Sequence, residues 1–327
     1  MKVNHYRLSN FFWVTGLILL AGIILIFALK TTPLYIEASL NTEILDHFGS
    51  LVGGLVGTFF SLAGIFLIIH TIKEQEVDNQ KQKIESRFFE LLKIHCDNIN
   101  HIKAGESVGR YAIQKMIREL RICLEEAQKV NTELNMGIDD TQILNFGYLA
   151  FYYGCAVIRN EKSAKTFRDE VPEYDAKFVD KFIEHCTEKQ KIIIDPQKDF
   201  DFKYEQFYGH QIRLSHYFRH IFHTITYINR QETAIVSAIE KYDYVKLLRA
   251  QLSPQEQSLI FHFSMSKLGH EWEKNYPDNP DKQIITKYNM IRNVLRSGES
   301  MSKYYPCVAF EGRPTPPCRA ELRKQYT

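Results

Sequence analysis

The sequence lacks several of the short motifs that mark common enzyme classes. It contains no glycine-rich phosphate loop, no His-Glu-x-x-His pattern and no paired Cys-His nucleophile signal. Its 6 cysteines form none of the Cys-x-x-Cys or Cys-x-His pairs that zinc sites use. These absences predict free thiols, no metal and no cofactor, and they favour a protein that is not an enzyme.

An excess of charge of one sign is also missing. The 327 residues carry 41 Lys and Arg against 39 Asp and Glu. Such a balance creates no global field that would attract a polyanion. Nucleic acid is therefore not indicated as a partner, and any basic site must be local.

Two stretches near the amino terminus lack every Lys, Arg, Asp and Glu. They cover about residues 11–29 and 48–70, and a helix of roughly 20 apolar residues is long enough to cross a bilayer. Lys2 and Arg7 precede the first stretch and further cations follow the second, beginning at Lys73. Because cations flanking a span stay on the cytoplasmic side, the pattern predicts a two-pass membrane protein with both termini in the cytoplasm.

Small residues recur every fourth position in the second stretch. Gly49, Gly53, Gly57 and Ser61 predict one smooth helix face, to which another helix could pack closely in lipid. Two partners for this glycine face remain open. One is the first stretch of the same chain, and the other is the second stretch of further copies, which would make a homo-oligomer around a pore.

The rest of the chain has mostly helical periodicity, so we predict an all-α protein. Residues 1–72 form a transmembrane hairpin, 73–87 a charged helical linker, 88–298 a cytosolic helical domain and 299–327 an irregular tail. Within the domain we expect seven helices: Arg110–Val130, Thr141–Ile158, Ala176–Ile194, Phe207–Ile228, Thr233–Leu252, one from Pro254 that stops at Gly269, and Lys282–Arg296. Ser253 and Glu256 predict a capping box at the start of the sixth.

The predicted helix over 207–228 has two distinct faces. Its core face carries Leu214, Phe218, Ile221, Ile225 and Ile228 at alternating steps of four and three. A polar stripe lies about opposite, and we treat it as a candidate face for a ligand or partner. Its residues are Arg213, His216, Arg219, His220 and His223.

Several ordered blocks of the sequence resemble bacterial phage abortive infection proteins of the AbiC type. They are Tyr208 to His220, Tyr242 to Ser253 with Glu256 and 259–261, and Ile285–Leu295; the resemblance extends from about Phe88. It implies defence against bacteriophage, in which the infected cell stops growing or dies before phage release. With the two spans, it places the protein in the bacterial inner membrane. Membrane defence effectors are often encoded beside a sensor or antitoxin, such as a reverse transcriptase with its RNA, so we expect a partner of that kind. It supplies no catalytic residue.

Three functions are compatible with these features. The first is a membrane effector, in which the cytosolic domain senses an infection cue or partner and the spans then compromise the inner membrane. The second is a ribonuclease of the HEPN type, in which His220, with His216 nearby, transfers a proton at the 2′-hydroxyl and Arg213 stabilises the phosphorane. Leu214 stands where such motifs usually carry a polar residue.

The third function is a sensor without catalysis. The polar stripe would then bind a phosphate-bearing signal or an acidic protein surface. A structural alternative is a hydrogen-bonded seam between the stripe and acidic residues of a neighbouring helix. His216 and His220 lie four apart on one helix, but a metal site there would need a third ligand that the sequence does not identify.

Overall fold

The computed structural model of the chain describes residues 5–31, 42–155, 161–193, 206–273, 279 and 282–291. Two compact units divide the chain, Met1–Lys83 and Ile84–Thr327. The described residues are almost entirely helical, with one pair of two-residue strands, so the all-α prediction is confirmed. The predicted tail at 299–327 lies outside the described residues.

Long apolar helices build the first unit. Helix α1 is His5–Thr31 and α2 is Thr42–Leu51; a π-helix, Val52–Val56, joins α2 directly to α3, Gly57–His101. By length and composition two segments contain stretches that can cross a membrane, His5–Ile26 and Gly49–His101. They coincide with the two predicted spans.

Small side chains bring α1 close to α3 within the first unit. The hydroxyl of Ser9 donates to the carbonyl oxygen of Ala63 at 2.9 Å, and the rings of Phe12 and Phe66 stack with centroids 5.4 Å apart. A Cβ on Gly16 would lie 3.3 Å from the Phe60 ring. The two apolar helices therefore pack through a face of α3 that includes Ala63, where close contact supplies the attraction that lipid does not.

The second unit contains the end of α3 and all later elements. Strands β1, Lys103–Ala104, and β2, Ser107–Val108, pair antiparallel. The helices that follow are α4 Arg110–Glu133, α5 Asp140–Tyr153, α6 Glu161–Glu170, α7 Ala176–Ile193, α8 Gln211–Asn229, α9 Ala238–Gln251, α10 Pro254–Met265, a 3₁₀-helix Lys267–Trp272, and α11 Ile284–Lys287.

The capping box predicted at the start of α10 is confirmed. The backbone N–H of Glu256 donates to the Ser253 hydroxyl at 3.2 Å, and the backbone N–H of Ser253 donates to the Glu256 carboxylate at 2.9 Å. Pro254 occupies the first helical position, where its missing N–H costs nothing. Capping boxes also begin α5, at Asp139, and α9, at Ser237.

Several predicted boundaries are wrong. Helix α10 ends at Met265, and Gly269 lies inside the following 3₁₀-helix; a Cβ there would lie 2.1 Å from the Phe263 carbonyl oxygen, so the glycine permits a close approach and caps nothing. Within 282–291 only α11 is α-helical, since Asn289 turns to φ +48°. Residues 292–296 of the predicted last helix lie outside the described residues.

Two further helices begin later than predicted, and one was missed. Helix α8 begins at Gln211 and not at Phe207, which has φ +65°. Helix α9 begins at Ala238 instead of Thr233. Helix α6 was missed because it is short and charged and has only two buried apolar residues, Ala164 and Phe167.

Aromatic side chains fill the core of the second unit. The ring of Phe146 on α5 lies 4.7–5.2 Å from those of Phe167 on α6 and Phe178 and Phe182 on α7. The predicted core face of α8 is buried throughout, with every member at most 2% exposed. One of its members, Phe218, stacks on Phe263 of α10 at 4.0 Å. This packing fixes the direction of the opposite face of α8.

Candidate functional site

The polar stripe of α8 is largely a surface feature. Arg213, His216, Arg219 and His223 are exposed, whereas His220 is half-buried. Helix α8 contains no Asp or Glu, and in the described part of the chain none of these five side chains forms an ion pair with an acidic residue. The acidic seam considered as a structural alternative is therefore not found there.

Arg213 and His220 bond to different parts of the backbone. The Arg213 guanidinium donates to the Gly209 carbonyl oxygen at 3.2 Å. The Nε2 atom of His220 lies 2.9 Å from the Leu91 carbonyl oxygen on α3, and its ring stacks on His95 at 6.4 Å. The structure thus places His220 between two helices and Arg213 on the surface, without joining them as a pair.

A buried polar cluster that the sequence did not predict lies beside this stripe. Its centre is the carboxylate of Glu256, which is 0% exposed. The hydroxyl of Tyr217 donates to it at 3.1 Å, Nε of Arg110 lies 3.5 Å away and Nε2 of His95 lies 3.8 Å away. This Glu256 cluster joins α3, α4, α8 and α10 at one carboxylate.

His95 is the least satisfied member of the Glu256 cluster. It is 0% exposed, and among the described atoms neither of its ring nitrogens has a hydrogen-bond partner. The rings of Tyr217, at 5.7 Å, and His220 pack against it. A buried polar group without a partner typically lowers stability by about 1–3 kcal/mol. A small shift of α3 toward Glu256 would give His95 a hydrogen bond and remove this cost.

A cavity of about 370 Å³ opens next to the Glu256 cluster, between the end of α3 and the start of α4. Its lining includes Cys96, Ile99, Asn100, Val108, Arg110 and Tyr111. Arg110 belongs to both features, since it lines the cavity and reaches the buried carboxylate. The arrangement supplies hydrogen-bond donors and an apolar wall, which suit binding better than proton transfer.

The sequence block around Tyr208-Gly209-His210 has a structural explanation. Two backbones meet so closely that a Cβ on Gly209 would lie 2.4 Å from the Tyr153 carbonyl oxygen, and one on Gly154 would lie 2.5 Å from the Tyr208 carbonyl carbon. The N–H of His210 donates to the Tyr152 carbonyl oxygen at 2.8 Å. Buried Glu119 accepts from the backbone N–H of Phe207 at 2.9 Å and lies 3.2 Å from the His210 ring. This docking sets where α8 begins.

The glycines of the second span have space beside them among the described residues. A Cβ built on Gly49, Gly53 or Gly57 meets nothing within 4 Å among the described residues, and Ser61 is exposed. The contacts of α1 with α3 fall instead on Ala63, Phe60 and Phe66. The described part of the first span therefore leaves this face open.

No metal-binding group of three or more His, Cys, Asp or Glu side chains occurs among the described residues. His216 and His220 accordingly gain no third ligand in that part of the chain. Cys96, Cys123, Cys155 and Cys186 are free thiols, and all but Cys96 are buried. The remaining two cysteines lie outside the described residues.

The fold and the site together define an all-helical protein that combines two membrane-spanning candidates with a helical unit organised around α8 and α10. Residues 209–298 match the model of a family described as "Putative phage abortive infection protein". The match begins at the glycine that precedes α8 and includes α9, α10 and α11. The match confirms the resemblance found in the sequence over these residues.

No curated protein and no solved structure gives a significant match to the chain.

Proposed function

We propose that the chain is a membrane effector of phage abortive infection, in which the cytosolic helical unit controls the apolar helices. One observation carries the proposal. Helix α3, Gly57–His101, is a single helix of 45 residues. It contains residues of the second apolar span and also contacts α8, where the family match begins. A helix shared by the two functions offers a direct route between them.

The contacts of α3 with the matched region are specific. His220 bonds to the Leu91 carbonyl oxygen and Tyr217 packs on His95, while the Tyr244 hydroxyl donates to Glu85 at 2.7 Å. Each of these partners on α8 or α9 lies within the residues that match the family. A cue that moves α8 or α9 would therefore act directly on α3.

The effector step belongs to the spans in this proposal. The open glycine face Gly49, Gly53, Gly57 and Ser61 would pack against the same face of further copies in the inner membrane, with both termini in the cytoplasm. Movement of one elementary charge down a membrane potential releases about 2.3 kcal/mol per 100 mV. Even a small conductance through the assembled spans would therefore dissipate a large store of energy. A sensor or antitoxin encoded nearby would restrain the effector.

The test is membrane potential, followed with a voltage-sensitive dye in phage-infected bacteria that carry the protein with its native neighbouring genes. Gly53→Ile should abolish depolarisation, because a Cβ there meets no described atom within 4 Å and the larger side chain would fill the space in which another copy is proposed to pack. Gly22→Ile on α1, where a Cβ likewise meets nothing within 4 Å, is the matched control and should depolarise normally.

An Arg213→Ala/His220→Ala variant separates the effector from the ribonuclease. Depolarisation that survives this double change but disappears in Gly53→Ile would support the membrane mechanism. A membrane that stays polarised while growth arrest depends on Arg213 and His220 would overturn it in favour of ribonuclease chemistry, with degraded cellular RNA as the direct readout.

A further inference from the structure

We infer that the cavity between α3 and α4 binds a mononucleotide, with Arg110 on the phosphate and Tyr111 on the base, and that this ligand acts on α3. Binding stands on the cavity alone, whereas its consequence for the membrane rests on the proposed effector function.

The cavity has the dimensions and the lining of a small-ligand site. Its volume is about 370 Å³, within the range of about 300–1,000 Å³ typical of such sites. Ile99 and Val108 supply apolar surface, and the Asn100 amide supplies one donor group and one acceptor. No Asp or Glu is among the described residues that line it, so an anion meets no direct repulsion there.

Two contacts with the protein hold Arg110 in place, and part of its guanidinium stays available to a ligand. Its Nη2 donates to the Gln251 carbonyl oxygen at 2.8 Å, and its Nε lies 3.5 Å from Glu256. Among the described residues Nη1 has no hydrogen bond, and the side chain is 61% exposed. Glu256 partly balances the charge, but it also orients the guanidinium, whose planar fork suits phosphate oxygens.

The neighbouring Tyr111 points to a planar group on the same ligand. It lines the cavity, yet the residue is 76% exposed, so the ring leaves a face open to stacking. Stacking of a nucleobase on an aromatic side chain contributes about 1–3 kcal/mol. A phosphate and a stacked base at adjacent residues match a nucleotide better than inorganic phosphate or a purely apolar compound.

The ligand would be sensed by α3 through two routes. Cys96, Ile99 and Asn100 in the last turns of α3 line the cavity directly. In addition, a phosphate that draws Arg110 toward the cavity weakens its attraction for Glu256. His95 of α3, whose ring nitrogens have no hydrogen-bond partner among the described atoms, lies 3.8 Å from that carboxylate. Closure of this gap would shift α3 relative to α10.

The experiment is isothermal titration of the full chain in lipid nanodiscs with the four ribonucleoside monophosphates, and with adenosine and inorganic phosphate as the separated halves. At least one monophosphate should bind with a Kd below about 1 mM, equivalent to −4.1 kcal/mol, and each half should bind at least tenfold more weakly. Absence of binding by all four monophosphates at several millimolar would overturn the inference.

Variants assign the binding to this cavity. Tyr111→Ala should weaken binding at least fivefold without a change in melting temperature, because the residue is exposed, and Arg110→Gln should weaken it further. Ile212→Ala, an exposed residue of α8 that is not among the described lining residues, is the control and should bind normally. Wild-type affinity in both Tyr111→Ala and Arg110→Gln would place the ligand elsewhere and refute the site.

The two proposals can fail separately. Lost binding with normal depolarisation in Tyr111→Ala cells would refute control by the nucleotide and leave the membrane effector in place. Normal binding in vitro together with unchanged depolarisation by Gly53→Ile would refute the effector step and leave the cavity as a binding site.

Discussion

At the scale of single residues, the Glu256 cluster makes different predictions for its members. Tyr217→Phe removes one neutral donor and should lower the free energy of unfolding by about 1 kcal/mol. Glu256→Ala leaves both the Tyr217 hydroxyl and the Ser253 N–H without their acceptor, and should cost more than about 2 kcal/mol. Urea denaturation of the detergent-solubilised chain, followed by circular dichroism, measures both. Equal losses would mean that the carboxylate joins no more than one partner.

Buried His262 should make the free energy of unfolding depend on pH. Burial on α10 lowers the pKa of its imidazole to about 4, although a hydrogen bond with the Ser258 carbonyl oxygen opposes this shift. The unfolded chain takes up the proton near pH 6.5. The stabilisation is therefore complete above pH 6.5 and is lost as pH falls toward 4, with a slope of at most about 1.4 kcal/mol per pH unit.

The His262→Leu variant should show a shallower decline of unfolding free energy between pH 6.5 and 4. Phe261→Leu, a buried change on the same helix that removes no titratable group, should lower stability without altering the slope. A wild-type slope retained by His262→Leu would show that other groups cause the acid sensitivity.

At the scale of elements, the glycines that dock the start of α8 can be tested against a glycine of similar conformation. Gly154 and Gly209 have φ of +88° and +85° and leave no room for a Cβ, whereas Gly137 has φ +67° with nothing within 4 Å. Gly154→Ala and Gly209→Ala should each cost more than about 3 kcal/mol, because backbone must move. Gly137→Ala should cost only about 1 kcal/mol, from the left-handed conformation alone.

Thermal unfolding of the three glycine variants, with the wild type alongside, measures the difference. Similar midpoints for Gly137→Ala and Gly209→Ala would contradict the close approach of the two backbones. Loss of α8 docking should also disturb the polar stripe, since Arg213 bonds to the Gly209 carbonyl oxygen.

At the scale of the whole molecule, the continuity of α3 is the feature on which the proposed control of the membrane depends. The exposed stretch that follows the apolar span contains Asn79, where proline would remove a helical hydrogen bond, kink the helix and cost about 3 kcal/mol. Asn79→Pro should keep the protein in the membrane fraction, because both apolar stretches are intact, but should abolish depolarisation during infection.

Asn79→Ala, which favours the helix, is the matched control and should act as the wild type does. Dye measurements on infected cells, with membrane fractionation of the same cultures, decide between the outcomes. Full depolarisation by Asn79→Pro would mean that a signal does not travel along α3.

Features that depend on local pattern could be predicted from the sequence alone. Charge-free stretches, apolar residues at helical spacing and the Ser253 capping box are local, and they predicted the two spans, the all-α fold and the core face of α8. Features that depend on contacts between distant segments are seen only in the folded structure. It placed His95, Arg110 and Tyr217 around the Glu256 carboxylate. It also brought two backbones so close together that only glycine fits at 154 and 209. Periodicity reports which face of a helix is buried but not which helix covers it, so neither the Glu256 cluster nor the cavity beside it could be predicted from the sequence.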